Sequence, residues 1–268
     1  MSAAATLSEA IAPLRADPGR AGVLLDIDGV LAPIVRHADD AHVPEPTRAP
    51  LIAVARRYGL VACVSGRQAT TARRIVSLGS ITYVGNHGAE LLRGGATDVE
   101  LDPEVAKWAP RVREFAEEAW SDRLRRLRVR AEDKDVIRAF HWRGAPDEDA
   151  AEAAVREIAD GAEEAGLVTH WGRKVLEIRP PVALDKGRGV RRLIEETPGI
   201  EAAAYVGDDT TDLDAFAALE ALVDKGRLRY ALRVGVRSDE TPGALEEQAD
   251  LLVDGPVGVR ALLHALAA

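Results

Sequence analysis

An apolar run, Gly22-Val23-Leu24-Leu25, ends in two acids spaced two apart, Asp26 and Asp28, with Gly29 directly behind them. If the run is a buried strand, its period of two aims both carboxylates the same way at the carboxyl end. Two carboxylates beside a dry core repel one another, and a divalent cation between them or a proton on one of them relieves the repulsion. The stretch asks for a metal, a phosphate or both. Asp26 has no proton to lose at neutral pH and can attack phosphorus, while Asp28 can protonate a leaving oxygen and later take a proton from water. Three further pieces suit that chemistry. Ser65-Gly66-Arg67 closes a second apolar run and offers a hydroxyl and backbone amides to phosphoryl oxygens. Lys186 can hold a phosphate and offset crowded negative charge. Gly207-Asp208-Asp209-Thr210-Thr211-Asp212 brings further acids, and Mg²⁺ suits an all-oxygen site of the kind that Asp26, Asp208 and the carbonyl of Asp28 can supply.

These residues need a frame that brings strand ends together. Apolar runs at residues 22–25, 60–64, 81–84 and 202–206 alternate with amphipathic segments, and each run ends in small or polar residues. That alternation predicts a doubly wound, parallel, Rossmann-like α/β sheet with its site at the strand carboxyl ends. A short helix is expected over 6–16, and a second with Thr47 as N-cap and Gly59 as stop. Later strands are expected over 231–236 and 250–253, with a closing helix over 257–267. Near Arg93-Gly94-Gly95 the pattern changes: a helix over roughly 103–124, strands over 127–131 and 136–142, a helix capped by Asp147, and strands over 167–171 and 174–179. This αββαββ order predicts an inserted α+β cap domain over 93–180, between core segments 1–92 and 181–268. Trp108, Trp142 and Trp171 fall inside it and are expected in its core.

The 268 residues leave room for one core plus one insertion. Hydrophobic residues at 47% and charged residues at 29% describe a globular chain, and no run approaches the length of a membrane span. The N-terminus lacks the pattern of a secretory signal, and the single Cys63 has no disulfide partner, so a cytoplasmic location is expected. A net charge of −9 argues against nucleic acid as a partner. The basic run Arg123 to Arg130 is read as a solvated helix end answering Glu114, Glu117 and Glu118. His37 and His42 lie in a loop without metal-ligand spacing.

Asp26-Ile27-Asp28-Gly29-Val30, Ser65, Lys186 and the Gly207 to Asp212 stretch resemble the four motifs of the haloacid dehalogenase superfamily of phosphatases. Within it the chain is similar to the trehalose-6-phosphate phosphatases, on the strength of Leu31-Ala32-Pro33-Ile34, Gly85-Asn86-His87-Gly88-Ala89-Glu90, Val175-Leu176-Glu177-Ile178-Arg179-Pro180 and Asp212-Leu213-Asp214-Ala215-Phe216. The resemblance implies Asp26 as nucleophile and Mg²⁺ ligand, Asp28 as acid/base and carbonyl ligand, Ser65 and Lys186 as phosphate ligands, and Asp208 as Mg²⁺ ligand supported by Asp209 and Asp212. Gly66, Arg67, Asn86 and His87 join the candidate substrate ligands. In the insertion, Glu132-Asp133-Lys134 and His141-Trp142-Arg143 resemble sugar-binding stretches of the family, making Glu132, Lys134, Arg143, Lys174 and Glu177 candidates to bind hydroxyls from one face of the inserted sheet. Two positions depart from the pattern: Val30 stands where Thr is usual, and Leu213 replaces an acid. The implied activity is Mg²⁺-dependent hydrolysis of trehalose 6-phosphate through an aspartyl phosphate, functionally linked to a trehalose-phosphate synthase. The alternatives are the same chemistry on a glucosylglycerol or mannosylglycerate phosphate, and a non-catalytic sugar-phosphate sensor.

Overall fold

The structure, a computed structural model, describes residues 6–35, 40–239 and 241–268. It divides into two compact units, one running up to Glu100 and resuming at Leu184, the other spanning Leu101–Ala183.

The first unit begins with α1 (Leu7–Ala16), which is opened by a capping box in which Thr6 and Glu9 satisfy each other's backbone amides. Then follow β1 (Ala21–Leu25), α2 (Glu45–Arg57), β2 (Leu60–Val64), α3 (Ala69–Val76), β3 (Thr82–Gly85), β4 (Glu90–Leu92) and β5 (Glu100–Leu101). Helix α2 starts two residues before the expected cap at Thr47. Pro44 takes the N-cap position and Pro46 sits in the first turn, where a missing amide costs nothing; Thr47 is buried inside the helix. The insertion comprises α4 (Pro103–Ala119), α5 (Asp122–Arg126), β6 (Arg130–Asp133), β7 (Arg138–His141), α6 (Glu148–Glu164), β8 (Val168–Gly172) and β9 (Val175–Arg179). The first unit resumes with α7 (Lys186–Glu195), β10 (Ala202–Gly207), α8 (Asp212–Asp224), β11 (Tyr230–Arg237), α9 (Gly243–Gln248), β12 (Leu251–Asp254) and α10 (Gly255–Ala267).

The eight-stranded sheet runs β12-β11-β10-β1-β2-β3-β4-β5. The pairs from β12 through β3 are parallel, and β4 lies antiparallel on β3. Every residue of β1 and β2 is buried, as expected where helices cover both faces. Alternation divides the side chains between two cores. Val23, Leu25, Val61 and Val206 pack with Ile11, Leu51, Leu262 and Leu263, whereas Leu24, Ala62, Val64 and Tyr205 pack with Val190, Leu193, Phe216 and Leu219. Helices therefore bury both faces, and the sheet reverses direction of growth at β1, between β10 and β2. In a doubly wound sheet that reversal opens a crevice beyond the strand ends.

The inserted sheet is antiparallel, in the order β6-β7-β9-β8. Phe140, Leu176 and Ile178 pack on Val112, Ala116, Val155 and Ile158 of α4 and α6. The helix expected over 103–124 is two helices. Trp120 leaves the helical conformation (φ −73°, ψ 117°) and its ring stacks on Phe140 at 6.4 Å between centroids, so packing interrupts the run. Trp142 is buried and Trp108 partly so, but Trp171 is 39% exposed, set edge-on to Trp142 at 5.9 Å with the Arg156 guanidinium over it. The basic run answers different acids from those expected: Arg123 pairs with Glu157, and Arg125 with Asp122.

Among the described residues no helix is long and apolar enough to cross a membrane. His42 bonds the Asp40 carbonyl at 3.0 Å, and His37 lies outside the described residues.

Candidate active site

Asp26 follows β1, Ser65 follows β2, Asp208 follows β10, and Lys186 opens α7. All four are buried and line one cavity of about 400 Å³ in the first unit, shared with Asp28, Gly66, Arg67, His87 and Asp209. Parallel strands with successive apolar residues end together, so polar residues that close each run converge.

Lys186 Nζ lies 2.9 Å from Asp26 Oδ2 and 2.7 Å from Asp212 Oδ1. Asp212, fully buried in the first turn of α8, accepts four hydrogen bonds: Oδ1 from Lys186 and from the Tyr205 hydroxyl (2.6 Å), Oδ2 from the amides of Asp208 (2.8 Å) and Asp209 (3.0 Å). Both its oxygens are engaged, so it braces the turn that presents Asp208. Asp209 folds back to accept from the Thr211 amide and hydroxyl, each at 2.7 Å.

Negative charge is in excess here. Burial, with the Asp212 charge adding to it, pushes Asp26 well above the usual carboxylate range against the pull of Lys186. Burial and then the charges of Asp212 and Asp209 push Asp208 up to about 7. Burial alone would lower Lys186, but Asp26 and Asp212 hold it above its ordinary value. One oxygen from each of Asp26, Asp208 and Asp212 falls within 4.8 Å of the others. A hard divalent cation takes such oxygen donors and removes the repulsion that a lone ammonium leaves, so this buried acidic triad fits a divalent metal. Asp26 and Asp208 have oxygens available to it; those of Asp212 are already committed.

Gly29 makes that approach possible. Its φ is +80°, and a Cβ there would stand 1.9 Å from Asp208 Oδ2. Gly29→Ala is expected to cost at least about 2 kcal/mol, from the left-handed backbone and the collision together. A denaturant melt matching wild type within about 0.5 kcal/mol would contradict this.

Asp28 is not free. Arg67 grips it as a fork, Nε to Oδ2 at 2.7 Å and Nη2 to Oδ1 at 2.8 Å. Ser65 Oγ accepts the Arg67 amide at 3.2 Å, which leaves its own proton to donate. The amides of Asn86 and His87 bond the carbonyls of Arg67 and Ser65, so β3 sets the loop after β2. His87 lines the cavity, and a Cβ on Gly66 would lie 2.7 Å from its ring. Asn86, expected among substrate ligands, is instead fully buried and donates to Glu90 Oε1 at 2.5 Å, while Glu90 Oε2 accepts the first amide of α3.

In the insertion, Glu132, Ala139, Glu177 and His170 form one cross-strand row on the face opposite the helices. Lys134 Nζ reaches Glu177 Oε1 at 2.7 Å, and Glu132 bonds His141 Nε2 at 2.8 Å. The other Glu177 oxygen takes a fork from Arg179, at 3.0 and 2.5 Å. Burial alone would raise Glu177, yet Lys134 and Arg179 hold it at about 2. Arg143 and Lys174 do not join this row. Lys174 lies in the β8–β9 turn and pairs with Glu148, and Arg143 bonds the Arg173 carbonyl at 3.1 Å. Arg179 and Tyr205 were passed over in the sequence; the signal for Arg179 is its spacing of two from Glu177 on one strand face.

The trehalose-phosphatase family model matches residues 24–254. A trehalose-phosphate phosphatase of Mycobacterium marinum is 36% identical over 207 residues, covering 75% of this chain and 52% of that protein. The chain spans about half the length of the trehalose-phosphate phosphatases of Mycobacterium marinum, Oryza sativa and Mycobacterium ulcerans that it matches in sequence. Among solved structures, the trehalose-6-phosphate phosphatase of Aspergillus fumigatus is 22% identical, with a TM-score of 0.63 over 99% of both chains. A haloacid dehalogenase-like hydrolase from Bacteroides thetaiotaomicron is 13% identical, with a TM-score of 0.60 over 90% of this chain and 97% of that one. These two likenesses concern the fold, which is of the haloacid dehalogenase type, and the family match runs through both halves of the acidic cavity. The chain therefore belongs to the trehalose-phosphatase family.

Proposed function

We propose that the chain is a phosphatase that hydrolyses trehalose 6-phosphate to trehalose and phosphate by way of an aspartyl phosphate on Asp26. The observation that carries this reading is the ammonium of Lys186 held between Asp26 and Asp212 at the strand ends, with Ser65 and Asp28 lining the same cavity. Asp26 Oδ attacks phosphorus as the bond from phosphorus to the sugar oxygen breaks, and Asp28 delivers the proton that oxygen needs. Water then attacks phosphorus, Asp28 takes its proton, and the acyl phosphate bond breaks to return Asp26. Ser65 and the amides about Gly66 hold the phosphoryl oxygens, and Lys186 balances their charge. Mg²⁺, held by Asp26, Asp208 and the Asp28 carbonyl, would supply charge neutralisation and Lewis acidity. The Arg67 fork must loosen from Asp28 before proton delivery, and a bound phosphate is a competing partner for that guanidinium.

Sugar selectivity is assigned to Glu132 and Glu177 of that row together with Lys134 and Arg179, which bond Glu177. With both its oxygens taken, Glu177 orients Lys134 and Arg179, side chains of a type that donates to hydroxyls. The reading makes a synthase of trehalose 6-phosphate the functional neighbour, and the buried free Cys63 suits a reducing cytoplasm.

Phosphate release from a panel of trehalose, glucosylglycerol, mannosylglycerate and simple hexose phosphates tests the substrate, with trehalose 6-phosphate expected to have the highest kcat/KM. Lys134→Ala is expected to lower kcat/KM for trehalose 6-phosphate at least about tenfold, the effect of a lost charged hydrogen bond. Turnover of p-nitrophenyl phosphate should change by less than about threefold. Equal losses on both would remove Lys134 from sugar recognition.

A further inference from the structure

Tyr205 is a core residue by every local sign. It lies in the interior of β10, is fully buried, and its ring meets Phe216 edge-on at 6.1 Å. Its hydroxyl, however, ends on the acidic network, 2.6 Å from Asp212 Oδ1. That oxygen is the one that receives Lys186 Nζ at 2.7 Å, and Lys186 in turn reaches Asp26 at 2.9 Å.

A carboxylate oxygen offers two lone pairs, and here the phenol holds one while the ammonium holds the other. The phenol limits the negative charge that Asp212 turns toward Lys186. It also fixes the rotation of the Asp212 carboxylate, on whose far oxygen the amides of Asp208 and Asp209 depend. A purely apolar residue at 205 would leave Asp212 Oδ1 with Lys186 as its sole partner among the described hydrogen bonds. The carboxylate would then be held at that oxygen by the ammonium alone, and the ammonium would be drawn from Asp26 toward Asp212. The ring would pack as before.

We propose that Tyr205 is a positioning residue, which acts through Asp212 to hold Lys186 against Asp26 and to set the turn presenting Asp208. The inference rests on the phosphatase reading above, and its experiment separates the two. Tyr205→Phe removes the oxygen and keeps the ring. In the full chain with Mg²⁺, kcat is expected to fall at least about tenfold on p-nitrophenyl phosphate and on trehalose 6-phosphate alike, with KM within about threefold of wild type on each. Calorimetric titration of Mg²⁺ into the substrate-free variant should give a Kd at least about threefold weaker. Replacing Tyr205 by 4-aminophenylalanine, which restores a neutral donor on the same ring, should recover part of both losses.

A variant that melts at a lower temperature but keeps kcat within about twofold would overturn the proposal, because the hydroxyl would then only satisfy a buried carboxylate. A raised KM at unchanged kcat would overturn it as well. If Tyr205→Phe does not fold, 4-fluorophenylalanine at 205, which fills the place of the hydroxyl without donating, takes its place: kcat should fall at least about tenfold with KM within about threefold, and an unchanged kcat refutes the idea. If wild type releases no phosphate from any substrate, the phosphatase reading fails, and Mg²⁺ affinity becomes the readout for Tyr205, with an unchanged Kd counting against it.

Discussion

The Asp26→Asn variant is expected to release phosphate roughly 10⁴-fold or more slowly than wild type, the scale of loss when a nucleophile that acts with its partners as a unit is removed. An amide can still accept the Lys186 hydrogen bond, so the fold should survive. It can neither attack phosphorus nor offset the ammonium. Asp28→Asn should behave differently. Asp26 remains to attack, so an activated ester such as p-nitrophenyl phosphate should phosphorylate the protein in one rapid turnover, and without a base the acyl phosphate should persist. Intact-mass spectrometry would show the added phosphoryl group in Asp28→Asn and not in Asp26→Asn. Activity within tenfold of wild type in Asp26→Asn would end the covalent route.

Without a divalent cation, the protein should become less stable as pH rises from 5 to 7. Asp208 holds its proton up to about 7 in the fold, through burial first and the Asp212 and Asp209 charges second, whereas an unfolded aspartate releases it near 3.9. The stability from that proton is complete below the unfolded value and is lost as pH climbs through the folded one, at about 1.4 kcal/mol per unit. Asp26 is displaced in the same direction and steepens the slope. Lys186, displaced upward, loses its contribution only at strongly alkaline pH, and that of Glu177, held at about 2, is lost as pH falls from the ordinary glutamate value toward 2, so neither acts in this window. Mg²⁺ at a hundred times its Kd should add about 2.7 kcal/mol at neutral pH and flatten the profile, since the cation takes the place of the proton. Denaturant melts at pH 5, 6, 7 and 8, in EDTA and in Mg²⁺, measure both effects. Burial lowers His170, whose contribution rises with pH across the same window, so the melts are repeated in His170→Gln, where a profile in EDTA that is flat or rises with pH would mean the acids do not repel one another as their burial requires.

Asp26, Ser65 and Asp208 were legible in the sequence because each closes an apolar run, and parallel strands of similar length bring such ends to one place. Lys186 was legible through its position at the head of an amphipathic helix and its motif. The partnerships were harder to read. Nothing local says that Arg67 reaches Asp28, because the fork forms only when β1 and β2 lie side by side. Tyr205 has the pattern of any buried strand residue, and its role depends on where a carboxylate seven positions later turns. Asn86 became a candidate through the family-like stretch it lies in, and that likeness carried no sign that its side chain is buried and donates to Glu90. In the insertion, period two put Glu132 and Glu177 on one face, whereas the left-handed turn at Lys174 directed that side chain to the start of α6. β4 and β5 have three and two residues, too few to show any period.

β1, which precedes the other strands of its sheet in sequence, sits in the middle of that sheet, and its partner on one side, β10, follows the whole insertion. On a ribosome, β1 can meet β2 and β3 early, but Ala21 must wait for Ala202, with a bare central edge exposed in the meantime. The insertion, having its own core and only antiparallel neighbours, can be finished during that wait. The bond from Lys186 to Asp26 therefore belongs to the last contacts to close. A nascent chain halted before β10 would carry Asp26 on an unsealed sheet, so recovery of phosphate release on refolding should trail recovery of secondary structure.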